Sequence, residues 1–180
     1  MKRLFICGSN RDKNCYKILN DLKEDKDDII FLAKKDIKFC LGCNACQKGL
    51  EKICVLNDYM QEVYPKILSS DKIIIASPIY MNQITGILKN FIDRFNPFLS
   101  NNALDGKNIY LILIGQMSEK DNEAEAKKIA NYFMGLSDFM GFKFKFLKYL
   151  SSGDVLEIDD IIKANGDYKN IIKNIKQEIK

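Results

Sequence analysis

Apolar runs and amphipathic stretches alternate along the whole chain. RLFICG (Arg3–Gly8) reads as a buried strand closed by glycine, and NCYKILNDLK (Asn14–Lys23) sets Tyr16, Ile18, Leu19 and Leu22 on one helical face. DIIFLA (Asp28–Ala33) is the second strand. A cysteine-rich loop at 39–57 follows. DYMQEVYPKILSSD then has helical period, with Asp58 as its cap and Pro65 as a kink. KIIIAS (Lys72–Ser77) is the third strand, halted by Pro78, and Gly86–Phe95 places Ile87, Leu88, Phe91, Ile92 and Phe95 on one face. The fourth strand, NIYLILIG (Asn108–Gly115), is so uniformly apolar that both its faces must be covered. A long helix over Asp121–Met140, a period-two strand over Phe142–Leu150 and a last helix over Asp167–Ile179 complete the pattern. The alternation of that last strand marks an edge with one wetter face.

Strands that alternate with helices call for an α/β fold: a doubly wound, five-stranded parallel sheet with right-handed crossovers and helices on both faces. At 180 residues, one domain spanning 1–180 is expected. Such sheets bind ligands beyond the carboxyl ends of the strands, where the strand order reverses. The working surface is then the loops GSNRDKN, the cysteine loop, SPIYMNQITG and GQMSEKD.

Composition narrows the chemistry. With 47% apolar and 29% charged residues the chain has ample material for one core. The net charge is a mild +4 with lysines and carboxylates interleaved, so no basic stripe points to nucleic acid. The apolar run Leu4–Cys7 is too short for a signal-peptide core, and no stretch approaches the ~20 apolar residues of a membrane span. A cytoplasmic location without a membrane partner is expected, and there thiols stay reduced. Histidine is absent, which removes the commonest acid–base residue and the commonest nitrogen ligand. A metal must rest on cysteines or carboxylates, and redox chemistry must lean on a cofactor.

The loop GSNRDKNC lets Gly8 make a tight exit, while Ser9, Asn14 and the Cys15 backbone offer donors at a helix N-terminus, a place that favours anions. Arg11 adds a planar, permanently charged fork. It is neither G-x-G-x-x-G nor a P-loop, and it suits a phosphate. A plain polar turn with a helix cap is the alternative. Beyond the third strand, Pro78, Ile79, Tyr80 and Met81 present apolar and aromatic surface beside polar Asn82 and Gln83, a combination suited to a flat heteroaromatic ring.

GSNR…N, C-x2-C-x2-C…C, ND-Y-M and SPIY…G-x-LK-x-FIDR, in that order, resemble the NADPH-dependent FMN reductase group of flavodoxin-like proteins, and the cysteine arrangement is similar to that of the iron–sulfur flavoproteins. The resemblance implies strand order 2-1-3-4-5 and an FMN-dependent oxidoreductase. The FMN phosphate would sit at Ser9, Arg11, Asn14 and Cys15, and the ring on Pro78, Ile79, Tyr80, Met81 and Asn82, with Gly115 and Gln116 as the opposite wall. It further implies NAD(P)H or a ferredoxin-like carrier as donor, a small molecule or redox protein as acceptor, and a homodimer or homotetramer. The chain departs from the group at Lys13-Asn14-Cys15, where a Gly-Asn-Thr/Ser run is commoner and would supply one more hydroxyl.

Cys40, Cys43 and Cys46 are spaced by two residues each, and Cys54 follows after seven more. Dense C-x2-C-x2-C runs mark iron–sulfur ligation, and Gly42 and Gly49 supply backbone freedom for the wrap. Structural zinc more often takes two separated pairs. A 4Fe–4S cluster, a zinc-stabilised interaction domain, and plain reduced thiols in a cluster-free flavodoxin-like carrier or quinone or azo reductase all remain open. Cys7 ends a buried strand and reads as a small core residue.

Overall fold

A computed structural model describes residues 1–48, 53–153 and 160–180. Gly49 of the cysteine loop lies outside those residues. The described strands β1 (Arg3–Cys7), β2 (Asp28–Phe31), β3 (Lys72–Pro78), β4 (Asn108–Gly115) and β5 (Lys143–Ser151) form a parallel sheet ordered β2-β1-β3-β4-β5. Among them run the helices α1 (Asn14–Leu22), α2 (Ala45–Lys48), α3 (Met60–Ser69), α4 (Gly86–Asp93), α5 (Glu123–Met140), α6 (Asp160–Ala164) and α7 (Tyr168–Glu178). This is the doubly wound, flavodoxin-like order that the alternating pattern and the resemblance imply.

The strands read as continuous apolar runs because both faces are covered. Leu4, Ile6, Ile73, Ile75, Ile109, Leu111 and Leu113 pack with α3, α4 and α5, whereas Phe5, Cys7, Ile74, Ala76, Ile112 and Ile114 pack with α1 and α7. Side chains of a strand alternate in direction, so each run feeds two cores at once. Phe91 of α4 is fully buried, and Phe91→Ala would cost about 3–5 kcal/mol by transfer and cavity together.

Several local readings change. β2 ends at Phe31 because Leu32–Lys34 tightens into a 3-10 turn. Pro78 is the last residue of β3 rather than its stop, since the ladder continues through the Ile79 N–H to the Ile114 carbonyl at 2.8 Å. Pro65 lies inside α3, whose entry is held by Asp58 Oδ1 accepting from the Met60 N–H at 3.0 Å. The short helices α2 and α6 and the 3-10 segment Asn96–Asn101 have too little period to be read from sequence. β5 slips register between Leu111 and Ile112 of its neighbour: Leu111 pairs with Phe146 and Ile112 with Lys148. Leu147 is thus an extra, bulged residue, and the bulge turns Tyr149 to the same face as Phe144 and Phe146.

Candidate active site

The cleft lies where the strand order reverses, over the carboxyl ends of β1, β3, β4 and β5. It is lined by Ser9, Arg11, Lys13, Asn14 and Cys15 from the first loop and the start of α1, Pro78, Ile79 and Tyr80 at and after the end of β3, and Ile114 and Gly115 of β4 with Gln116 just after it, with Ser152 and Gly153 beyond β5. Nine of the sequence-derived site residues therefore share one space. Met81 and Asn82 do not line it.

The first loop is built around Ser9, which is buried. Its hydroxyl accepts from the Arg11 N–H at 3.0 Å and donates to the Arg11 carbonyl at 2.9 Å, so the loop folds over its own serine. α1 then starts without a side-chain cap, and its first residues, Asn14 and Cys15, line the cleft. Asn14 Oδ1 is buried with no partner. Gly8 leaves no room for a side chain: a Cβ there would meet Leu88 side-chain atoms at 3.0 and 3.1 Å. Thr85 secures this junction by donating its hydroxyl to the Gly8 carbonyl at 2.5 Å while accepting from the Leu88 N–H as the cap of α4.

Cys15 and Cys7 lie beneath the loop as protonated thiols. Burial pushes Cys15 well above the ordinary thiol value, aided by nearby Cys7 and opposed by Ser9 and Arg11. Burial likewise pushes Cys7 up to about 11. Neither thiol serves as a nucleophile at neutral pH.

Tyr80 and Gln83 exchange backbone hydrogen bonds of 2.8 and 3.0 Å, closing a tight turn whose central residues Met81 and Asn82 have φ of 48° and 59°. That pair of positive angles is the I′ hairpin geometry. It throws Met81 to the tip, 97% exposed, and keeps Tyr80 at the cleft. Met81 and Asn82 stand at the tip of this turn, next to the cleft-lining Tyr80 and outside the lining itself.

The opposite wall is a backbone surface. The Ile79 N–H takes the Ile114 carbonyl, the Ser152 N–H takes that of Gly115 at 2.7 Å, Ser151 Oγ that of Gln116 at 3.3 Å, and Tyr149 OH that of Met117 at 2.7 Å. Tyr149, also accepting from Asn122 Nδ2 at 2.8 Å, crosses beneath Gly115, where a Cβ would lie 2.3 Å from its hydroxyl. Only glycine allows that approach. Lys13 and Thr85 fell inside loops read as the working surface without being given a role, and Ser152, Gly153, Tyr149 and Asn122 went unread in the sequence. For Ser152 and Gly153 the signal was available, because every strand-end loop of such a sheet borders the cleft.

The six cysteines are free thiols. Cys40 and Cys43 are exposed, and Cys46 is buried with its sulfur accepting from Asn96 Nδ2 at 3.2 Å. Burial raises the Cys46 thiol, and the Asn96 donor opposes that. Cys54 Sγ accepts from Arg94 Nη2 at 3.3 Å. Among the described residues, no three cysteine or carboxylate side chains are gathered as a metal-holding group. No described helix is long and apolar enough to cross a membrane.

Comparison with known proteins bears directly on this arrangement. The profile of the NADPH-dependent FMN reductase family matches residues 1–138. The chain belongs to that family. It is accordingly a flavin-dependent oxidoreductase, with FMN as the family's cofactor. Among the relatives of this chain, an iron–sulfur flavoprotein of Methanocaldococcus jannaschii is 33% identical over 142 residues, covering 74% of this chain and 71% of the relative. One of Archaeoglobus fulgidus is 38% identical over 100 residues, 52% of this chain and 48% of its own length. The solved structure of a Trp repressor binding protein from Bacillus subtilis shares the fold, with a TM-score of 0.67 at 19% identity over 96% of both chains.

Proposed function

We propose that the FMN phosphate sits at the Ser9–Cys15 loop and its ring between Tyr80 and the Gly115–Gln116 wall. The observation that carries this reading is the meeting of an uncapped helix N-terminus, a fixed cation and an aromatic rim in one cleft at the sheet's reversal. The residues fit the group. The α1 N–H groups and Arg11 complement a dianion, and the Asn14 side-chain amide, whose buried Oδ1 has no partner, would set a donor at that position if rotated by half a turn. Pro78, Ile79 and Tyr80 supply a flat apolar edge, and Gly115 offers bare backbone at the opposite wall, the place of its side chain being filled by Tyr149 from beneath. Bound FMN supplies one- and two-electron transfer between donor and acceptor. The protein's own part is to grip, orient and shield, with no imidazole available to move a proton.

NAD(P)H or a ferredoxin-like carrier is the proposed donor, and a small molecule or redox protein the acceptor. The cytoplasm is the proposed compartment, a homodimer or homotetramer the proposed assembly, and residues 1–180 one functional domain. Cys40, Cys43, Cys46 and Cys54 would hold a 4Fe–4S cluster that exchanges single electrons with the flavin; four thiols in one loop are the right donors, and the relatives named as iron–sulfur flavoproteins support the reading. A cluster-free oxidoreductase is the second reading, favoured by the ungathered thiols and by the side-chain donors already seated on Cys46 and Cys54.

Anaerobic purification, a visible spectrum, FMN titration and an assay of iron, sulfide and zinc decide among these. Absence of flavin absorbance and of FMN uptake would defeat the cleft assignment. Flavin without iron would leave the cluster-free enzyme, and zinc without iron would return the zinc-bound loop.

A further inference from the structure

NDYM and FIDR, far apart in the sequence, meet in the structure. Asp58 of the first and Arg94 of the second form a fork-to-fork ion pair, with side chains 0% and 1% exposed. Arg94 Nη1 donates to the Lys38 carbonyl at 2.7 Å, and Asp58 Oδ2 accepts from the Lys38 N–H at 2.9 Å. Arg94 Nη2 reaches Cys54 Sγ, Gln61 Nε2 donates to the Cys54 and Leu56 carbonyls at 2.8 Å each, and Tyr64 OH donates to the Arg94 carbonyl at 3.1 Å. Lys38 and Cys54–Asp58 are the two ends of the cysteine loop. One guanidinium closes its neck.

A buried ion pair is a poor device for stability alone, because desolvating both charges offsets most of their attraction. This one also leaves Arg94 Nε buried without a partner, a cost taken so that the fork faces the loop. Arginine suits the place because a planar fork can serve a carboxylate, a carbonyl and a sulfur at once. We propose that Arg94 is the positioning residue of the cysteine loop: locked on Asp58, it joins Lys38 to Cys54 and holds an N–H on the Cys54 sulfur. The loop-closing role stands on this geometry. The electrostatic role rests on the cluster reading above: the Nη2 hydrogen bond to a ligating sulfur would favour the reduced centre and raise its potential, the Arg94 charge itself being balanced by Asp58.

The test compares the FMN-loaded protein with Arg94→Lys, which keeps charge and loses the fork, and with Arg94→Gln/Asp58→Asn, which removes the pair without stranding a buried carboxylate. FMN affinity within about twofold of the parent reports an intact fold, since neither residue lines the cleft. Protease cleavage within residues 38–58, before iron is added, is expected to rise on the order of tenfold in both variants as the neck opens more often. After anaerobic reconstitution the double variant's iron centre is expected to shift its oxidised-to-reduced ratio about tenfold toward oxidised at a given potential, ~59 mV for one electron. The Arg94→Lys shift should be smaller. Unchanged cleavage in both variants overturns the clamp, and an unchanged potential with iron bound overturns the electrostatic role. A parent that takes up no iron, while the variants still lose protection, defeats the cluster reading and leaves the clamp standing. Should the double variant fail to bind FMN, Arg94→Lys alone carries both measurements.

Discussion

Arg11 and Gly115 act at opposite ends of the cleft and for opposite reasons. Arg11 contributes charge at an exposed rim, where a hydrogen bond to a phosphate is worth about 1.5–3 kcal/mol before solvent screening lowers it. Arg11→Ala should therefore weaken FMN on the order of tenfold in a flavin-fluorescence titration, with little change in thermal stability; an unaltered Kd would remove Arg11 from the site. Gly115 contributes absence of mass. Its substitution by alanine would drive a methyl to 2.3 Å from the Tyr149 hydroxyl, so Gly115→Ala should lower both FMN affinity and melting temperature. Adding Tyr149→Phe removes the nearest of three clashing atoms, leaving Asn122 Nδ2 at 2.8 Å and the ring Cε2 at 2.9 Å, and should restore a small part of the affinity. If the second change restores nothing, the wall is not set by that contact. That Ser9, Arg11, Asn14 and Cys15 border one cleft was legible because one contiguous loop carries them. Tyr149 was not, since its role depends on which way a side chain points.

At the scale of elements, caps and neck contacts decide how the loops are held. Thr85 begins α4 and fastens it to the Gly8 carbonyl, so Thr85→Ala should cost about 1–2 kcal/mol in urea unfolding, while Thr85→Ser retains most of it. A loss below about 0.3 kcal/mol would show the cap to be idle. Asp58 links α3 to α4. Burial works against its ionisation, but the Arg94 guanidinium and the Lys38 and Met60 N–H groups outweigh burial and hold the carboxyl below its ordinary 3.8. A carboxyl lowered on folding adds stability in full above its unfolded value, and that share fades as pH falls through the folded one. Acid unfolding of the parent should thus steepen below about pH 4, and Asp58→Asn, though less stable at neutral pH, should show a shallower acid dependence. Equal slopes would mean that Asp58 is not ionised in the fold. Sequence did offer Asp58 as a cap, yet not its partner 36 residues away, because helical period says nothing about which loops converge.

Over the whole molecule, family membership and cleft position point to turnover at the sheet's reversal. Under anaerobic conditions the FMN-loaded protein should oxidise NADH or NADPH in the presence of an artificial acceptor, and Arg11→Ala should lower the rate at limiting FMN but recover at saturating FMN. A protein that binds FMN and oxidises neither nucleotide would shift the donor to a redox protein. The sequence by itself determined the strand–helix alternation, the two-faced burial of the central strands and the clustering of polar and aromatic loops at one sheet end. Those follow from local periodicity and from the handedness of parallel crossovers, which need no knowledge of distant contacts. Tertiary structure alone decided the bulge at Leu147 that aims Tyr149 at the wall, the I′ turn that stands Met81 and Asn82 outside the cleft lining, and the closure of the cysteine loop by Arg94. Each is settled by packing between segments far apart in the chain, where a one-residue slip or a buried charge costs more than any local preference.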